Sequence, residues 1–161
     1  MIVTAPIQTY FSPDDDLKTI FLNFVADTET EFKFADYGFH MPILTDVLLH
    51  LHESGKTVGG VLDHTQEEGK YEHPEVQKLL DAKLDIVIGT SFKHHIMHDK
   101  YAVRDGRYVL AGSWNFSESA TLESNFFFIV DSPELARLFL TNWQEQHEWI
   151  STHEQKYQEA K

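Results

Sequence analysis

Apolar residues recur along the chain in short blocks whose spacing alternates between that of a strand and that of a helix. Ile7–Phe11 is predicted to be a short strand, and Ser12 with Pro13 provides the cap and first turn of a helix. The apolar face of that helix has the spacing i, i+3, i+4, i+7, i+8 and consists of Leu17, Ile20, Phe21, Phe24 and Val25. The pattern then predicts a strand over residues 30–39, a helix over 41–53 ended by Gly55, a buried strand over 57–63, a polar surface loop over 64–72, a helix over 74–82 and a strand over 84–89.

The second half of the chain has a different pattern of apolar and polar residues. Residues 96–104 alternate as a strand does, Asp105-Gly106 is a hairpin signal, and residues 108–111 return as its partner. A strand over 125–131 precedes a second helix start at residues 132–134 and a long terminal helix. Strands and helices in this order predict an α/β fold, with a mixed, largely parallel sheet sandwiched between helices. With no linker or low-complexity segment, residues 1–161 form a single domain.

Composition narrows the function classes. The chain has no cysteine, which excludes disulfides, cysteine-based zinc sites and a cysteine nucleophile. It has no apolar run long enough for a membrane span and no signal peptide at its start, so we expect a cytoplasmic protein. The net charge of −13 argues against a polyanionic partner on average. Residues 91–108, however, carry four basic side chains against two acidic ones, together with three histidines.

The chemically informative stretch lies in this basic region. His98, Lys100 and Asp105 form the pattern His-x-Lys-x4-Asp, and Gly112-Ser113-Trp114-Asn115 follows. On a strand His98 and Lys100 share one face, so an imidazole lies beside an ammonium that can hold an anionic phosphate. Ser113 and Asn115 offer the donors that a phosphoryl transition state needs. Each residue alone has an ordinary structural explanation, but the full spacing is specific.

This motif resembles the signature of the phospholipase D superfamily, and in particular its small single-motif, endonuclease-like branch. The similarity extends beyond the motif, over residues 7–148. It is carried by Phe11-Ser12-Pro13, Tyr37-Gly38-Phe39, Val61-Leu62-Asp63 before a glutamine-bearing loop, and residues 132–136 before Asn142-Trp143.

The resemblance implies a catalytic set of His98, Lys100, Asp105 and Asn115. His98 would be the nucleophile that forms a phosphohistidine. Lys100 and Asn115 would bind the substrate phosphate, with Ser113 as a supporting donor, while Asp105 would hold the motif hairpin in place. The implied chemistry is metal-independent phosphodiester hydrolysis with no cofactor.

The family reaction needs two histidines, and this chain contains one motif. No second His-x-Lys occurs in the sequence, so we expect a homodimer with the site at its two-fold interface. The whole-chain likeness to small nucleases favours DNA or RNA as substrate. Hydrolysis of phospholipid headgroups is the alternative, and a non-catalytic nucleic-acid-binding or assembly module with the same fold is the third possibility.

Two features of the motif region leave questions for the structure. Relatives place a glutamate before the asparagine of the following strand, where it orients the histidine, whereas this chain has Ser124 there, with Glu123 one residue earlier. Glu123 or Ser124 is therefore the possible orienting residue. The histidine-rich run His94-His95-x-x-His98 offers a rival interpretation as a metal site, although strand geometry would keep those rings apart.

Overall fold

The computed structural model describes residues 4–154, within which seven strands form one sheet. The strands are β1 Ile7–Phe11, β2 Glu31–Asp36, β3 Thr57–Asp63, β4 Asp85–Gly89, β5 Lys100–Arg104, β6 Tyr108–Gly112 and β7 Phe126–Asp131. The helices are α1 Leu17–Ala26, α2 Pro42–Glu53, α3 His64–Glu67, α4 His73–Asp81 and α5 Pro133–His153, with a short 3-10 helix at Ser119–Leu122.

The sheet is mixed, with the order β1-β7-β6-β5-β2-β3-β4. Strands β2, β3 and β4 run parallel, whereas the pairs that β5, β6, β7 and β1 make are all antiparallel. The mixed α/β sheet predicted from the sequence is thus confirmed. Its expected largely parallel character holds only for β2 to β4, because the hairpin at Asp105-Gly106 and the strands that follow it reverse direction.

Helices cover both faces of the sheet, as the apolar spacing predicted. Helices α1, α2 and α4 bury one face, where Phe21 and Leu48 pack with Phe32 and Phe34 of β2. Helix α5 buries the other face, and the indole Nε1 of Trp143 donates to the carbonyl of Phe34 at 2.9 Å. Burial on both sides explains why the apolar stretch of β3 is nearly continuous.

Three local predictions need correction. Helix α1 is capped by Asp16, whose carboxylate accepts from the N–H of Thr19 at 3.0 Å; Ser12 instead bonds the chain at Glu123 and Asn125. The polar stretch after β3 begins with the short helix α3, because Asp63 caps it by accepting from Thr65. The strand predicted from residue 96 starts only at Lys100.

The remaining helix ends follow the sequence signals. Gly55 has φ 83° just past α2, and Ser132 caps α5 by accepting from the N–H of Leu135 at 3.1 Å. Across residues 4–154, none of the helices combines the length and apolar character that crossing a membrane requires.

Candidate active site

His98, Lys100 and the Gly112-Ser113-Trp114-Asn115 segment meet at one edge of the sheet. Strand β5 runs antiparallel to β2, so its first residue, Lys100, pairs with the last residue of β2, Asp36. The same edge carries the end of β3 at Asp63 and the end of β6 at Gly112. The crevice outside the carboxyl ends of parallel strands is where α/β sheets commonly bind ligands.

His98 lies two residues before β5 rather than within it, and its side chain is exposed. Its ring packs edge-on against Tyr37, with 4.6 Å between ring centroids. The segment is fixed on both sides of the histidine. The N–H of Met97 donates to Asp63 at 2.7 Å, and Asp99 accepts from Gln146 of α5 at 2.8 Å. An exposed imidazole on an anchored segment is available to a substrate.

Lys100 places its ammonium next to His98, as the motif predicted, although a shared strand face is not the reason. Its Nζ donates to the backbone carbonyl of His98 at 3.0 Å and lies 5.1 Å from the centre of the Tyr37 ring. Partial burial lowers the pKa of Lys100, against the opposing effect of nearby acids, chiefly Asp36. The ammonium of Lys100 and the imidazole of His98 thus both lie against the ring of Tyr37.

Asp36 is a site residue that the motif did not reveal. Its carboxyl group is fully buried, accepts from the N–H of Phe116 at 3.1 Å, and has one oxygen without a hydrogen-bond partner. Burial raises its pKa to about 8, even though the ammonium of Lys100 lowers it. The available signal was an acidic residue at the end of a strand whose Phe32, Phe34 and Ala35 indicate burial.

The Gly112-Ser113-Trp114-Asn115 segment turns tightly against β7. A Cβ at Gly112 would lie 2.2 Å from the carbonyl oxygen of Phe126, so only glycine fits this approach. The hydroxyl of Ser113 donates to Asn125 at 2.9 Å and accepts from the N–H of Phe126 at 3.1 Å. In this arrangement Ser113 fixes the turn to β7.

Asn115 reaches the site from the same turn. It lies against Gly38, where a Cβ would approach its Cγ to 3.3 Å, and its buried Oδ1 has no hydrogen-bond partner. The backbone of the two segments is joined by the N–H of His40, which donates to the carbonyl of Phe116 at 3.0 Å. The structure thus gathers His98, Lys100 and Asn115 around Tyr37 and Gly38.

Asp105 lies away from this group, at the opposite end of β5. Asp105 comes five positions after Lys100, and five positions span roughly 16 Å along a strand. Its carboxylate accepts from the N–H groups of Glu29, Thr30 and Glu31 at 2.8 to 3.2 Å. It therefore ties the β5–β6 hairpin to the segment that precedes β2, the holding role expected for it.

Glu123 and Ser124 do not contact His98 within one chain. The carboxylate of Glu123 accepts from Asn125 Nδ2 at 3.2 Å, and Ser124 is exposed. Neither residue orients the imidazole in a single chain, so an orienting role for either remains a prediction about the assembled site.

The histidine-rich run does not form a cluster. His94 turns toward α5, where it lies 3.3 Å from Glu154 and packs on Trp149, while His98 packs on Tyr37. Within residues 4–154, no three His, Cys, Asp or Glu side chains come together as ligands of a metal would.

The basic stretch also separates in space. Arg107 forms a two-point ion pair with Asp131 at 2.6 and 2.9 Å, and Arg104 lies between the rings of Phe24 and Tyr108. Both arginines are at the Asp105 end of the hairpin. Lys100 therefore stands apart from them, and the net positive charge of residues 91–108 is not one continuous basic surface.

A family model described as "Cardiolipin synthase, PLD-like domain" matches residues 21–147. Among curated proteins, the "Phospholipase D" of Rickettsia felis is 25% identical over 143 residues, covering 88% of this chain and 70% of its own. The protein of the same name from Rickettsia bellii is 27% identical over 141 residues, covering 86% and 68%.

Solved structures show the same fold. Nuc of Salmonella typhimurium, described as a phospholipase D family member, matches with a TM-score of 0.81 at 24% identity, covering 89% of this chain and 94% of its own. NucT of Helicobacter pylori matches with a TM-score of 0.79 at 17% identity, covering 90% and 97%. The motif, the sheet edge on which it lies and the family match agree that the chain belongs to the phospholipase D superfamily and has its phosphodiesterase fold.

Proposed function

We propose that this chain is a metal-independent nuclease that hydrolyses phosphodiester bonds of DNA or RNA through a phosphohistidine at His98. The observation that carries the proposal is the exposed imidazole of His98, held on an anchored segment beside the ammonium of Lys100. Support for the nucleic-acid substrate comes from the near-complete overlap with Nuc and NucT.

In the proposed reaction an imidazole nitrogen of His98 attacks phosphorus, and the bond from phosphorus to the leaving alcohol oxygen breaks. Lys100 and the amide N–H of Asn115 stabilise the charge on the non-bridging oxygens. A second, protonated histidine donates its proton to the leaving oxygen. It then takes a proton from the water that attacks the phosphohistidine, which releases a phosphate monoester and restores both rings.

The second histidine is His98 of another copy, because the sequence has only one His-x-Lys motif. A two-fold axis beside His98 would bring the two rings together into one site. The exposure of His98 and its lack of a hydrogen-bonded partner ring among residues 4–154 are consistent with a site completed by a second chain.

The first experiment measures hydrolysis of bis(p-nitrophenyl) phosphate and of labelled DNA and RNA in excess EDTA. The parent chain should cleave, and His98→Ala should lose activity by at least about a thousandfold. His95→Ala is the matched control, because His95 is exposed on the same segment. Activity abolished by EDTA, or retained in His98→Ala, would overturn the proposed mechanism.

Mixed dimers test the shared site. When parent chain and His98→Ala are exchanged at equal concentrations, activity should fall to about one quarter of that of the same total amount of parent, since only parent–parent pairs are complete. A fall to one half would mean that each chain works alone. Sedimentation of an active monomer would likewise contradict the dimer.

Phospholipid hydrolysis is the second candidate, favoured by the name of the rickettsial relatives and by the net charge of −13. Assays on phosphatidylcholine and phosphatidylglycerol vesicles run beside the nucleic-acid assay decide between them. Faster release of headgroup than of nucleotide would replace the nuclease with a lipid hydrolase acting through the same histidine.

A further inference from the structure

A cavity of about 250 Å³ opens beside the candidate active site. Tyr37 and Asn115 belong both to its wall and to the surroundings of His98, so a group bound there would lie next to the reacting phosphate. Its remaining wall includes His40, Tyr71 and Glu72. The motif assigns no function to these three residues.

Glu72 is the unusual member of this wall. Its side chain is buried, with 4% of the residue exposed, yet its Oε1 has no hydrogen-bond partner. Burial, with added repulsion from Asp36, Glu67 and Asp63, raises the pKa of Glu72 to about 9. Although a hydrogen bond from the backbone of Phe39 opposes this shift, Glu72 is a carboxylic acid at neutral pH, and its hydroxyl is a hydrogen-bond donor on a residue that lines the cavity.

Asn115 supplies the complementary group. Its Oδ1 is buried without a partner and is an acceptor, while its Nδ2 remains free to serve the phosphate in the proposed reaction. The ring of His40 lies 5.4 Å from that of Tyr71, which is 62% exposed, and Lys70 Nζ lies 4.6 Å from the same Tyr71 ring. The cavity wall thus combines two buried polar groups, one donor and one acceptor, that have no hydrogen-bond partner, with aromatic faces.

These properties decide the class of occupant. A second phosphate is disfavoured because no lysine or arginine lines the cavity within the part of the chain that the structure describes. An alkylammonium headgroup can lie against the face of Tyr71, but it has no acceptor for the Glu72 hydroxyl. A nucleobase is uncharged, has donors and acceptors on its edge, and stacks on aromatic rings.

We propose that this cavity binds the nucleobase next to the scissile phosphate, with Glu72 as donor and Asn115 Oδ1 as acceptor to its edge. The proposal rests on the proposed nuclease function, because it assigns the substrate group adjacent to His98. It makes the enzyme selective for particular bases at one side of the cleaved bond.

The test uses p-nitrophenyl esters of the four nucleoside monophosphates and of an abasic deoxyribose phosphate. The measured quantity is the ratio of kcat/KM for each base-bearing ester to that for the abasic ester, taken within one protein. For the parent chain at least one base should give a ratio of about ten or more. In Glu72→Leu this ratio should fall toward one.

Glu72→Gln should keep most of the preference, because an amide is neutral, of similar size and can donate a hydrogen bond. Glu68→Leu is the matched control, since Glu68 is exposed on the same segment and should leave the ratio as it is. A parent ratio near one, or a ratio unaffected by Glu72→Leu, would overturn the proposal. The p-nitrophenyl ester of phosphocholine is measured alongside the others. If its kcat/KM relative to the abasic ester is also about ten or more, the proposal is overturned and the cavity is assigned to a lipid headgroup.

The outcomes of the two proposals are separable. If the parent chain hydrolyses neither bis(p-nitrophenyl) phosphate nor the abasic ester, the nuclease function fails. The cavity is then tested by calorimetric binding of nucleoside monophosphates against deoxyribose phosphate. Tighter binding of a nucleotide that is lost in Glu72→Leu would support the base site, and equal binding would reject it.

Discussion

Asp36 and Lys100 lie opposite each other on the paired strands β2 and β5, where a fully buried carboxyl group adjoins a half-buried ammonium. Each affects the protonation of the other, because the ammonium lowers the pKa of Asp36 and the carboxylate raises that of Lys100. Burial opposes both charges and is the larger effect at each residue. The lysine that we propose to bind the phosphate therefore lies beside a carboxyl group whose pKa is raised to about 8.

Asp36→Asn should make stability less dependent on pH. The pKa of Asp36 is raised in the folded chain to about 8 from 3.8, so the unfolded chain loses this proton first as pH rises. The contribution of Asp36 to stability is thus greatest below pH 4. As the pH rises to 8, the free energy of unfolding falls by about 1.4 kcal/mol per pH unit because of this group. Urea unfolding between pH 5 and 8 should give a shallower slope for the variant.

The control for this prediction is Asp14→Asn, because Asp14 is exposed before α1. It should reproduce the parent slope. An Asp36→Asn slope equal to that of the parent would mean that Asp36 is ionised in the folded chain across this range.

Lys100→Met should lower kcat/KM for phosphodiester hydrolysis by about a hundredfold to a thousandfold, because the variant loses the charge that holds the phosphate beside His98. The measurement is bis(p-nitrophenyl) phosphate hydrolysis with circular dichroism to verify folding. Lys93→Met, an exposed lysine on the same segment, should keep the parent rate. Equal losses in both variants would assign the effect to overall charge.

Asp105→Asn should reduce stability by about 1–3 kcal/mol at pH 7. Desolvation raises the pKa of Asp105, but hydrogen bonds from Thr30, Glu31 and Glu29 outweigh it and hold the pKa below 3.8. The stabilisation is present above pH 3.8 and is lost as pH falls through the folded pKa, so the two chains should converge in acid. Asparagine tolerates the φ of 55° at this position, which isolates the charge.

A destabilisation by Asp105→Asn that stayed constant down to pH 2 would show that the charge of the carboxylate is not its source. A changed shape of the pH–rate profile, measured at a temperature where the variant is fully folded, would indicate instead that Asp105 takes part in the reaction.

The order of strands and helices could be predicted from the sequence because apolar spacing records which faces are buried. Helix α1 shows this, since Leu17, Phe21 and Phe24 are both periodic and buried. Strand direction was less predictable. It depends on the hairpin at Asp105-Gly106 and on pairings between distant segments, such as that of β1 with β7.

The part of the site that could be predicted from the sequence is the part that lies within one short motif. His98 and Lys100 are neighbours in sequence and in space, but the distance between Lys100 and Asp105 depended on where β5 begins and ends. Asp36 and Glu72 come to the site from other segments. Each has a buried carboxyl oxygen without a hydrogen-bond partner, a property that no local sequence pattern contains.

The pH–rate profile of hydrolysis should be bell-shaped across the histidine titration range. The proposed dimer needs one neutral His98 ring to attack and one protonated ring to donate, so activity falls when both rings are neutral and when both are charged. Initial rates from pH 4.5 to 9 in constant ionic strength give the profile. A rate that rises to a plateau and stays there would require a single titrating group and would contradict the acid role of the second histidine.

Asp63→Ala should lower kcat more than it raises KM. The carboxylate of Asp63 accepts from the N–H of Met97 at 2.7 Å and from Thr65 at 2.9 Å, and so joins the end of β3 to the segment that carries His98. Without it the imidazole is less well placed for attack, and a loss of about tenfold to a hundredfold in kcat follows from the sensitivity of such reactions to small displacements. Asp63→Asn keeps one acceptor oxygen for the three groups that donate to the carboxylate, the N–H of Met97 and the N–H and hydroxyl of Thr65, and should recover part of the rate. The measurement is steady-state kinetics on one phosphodiester, with the rates of both variants corrected to equal folded fractions. If the loss of kcat disappears after this correction, Asp63 contributes to stability only and does not position His98.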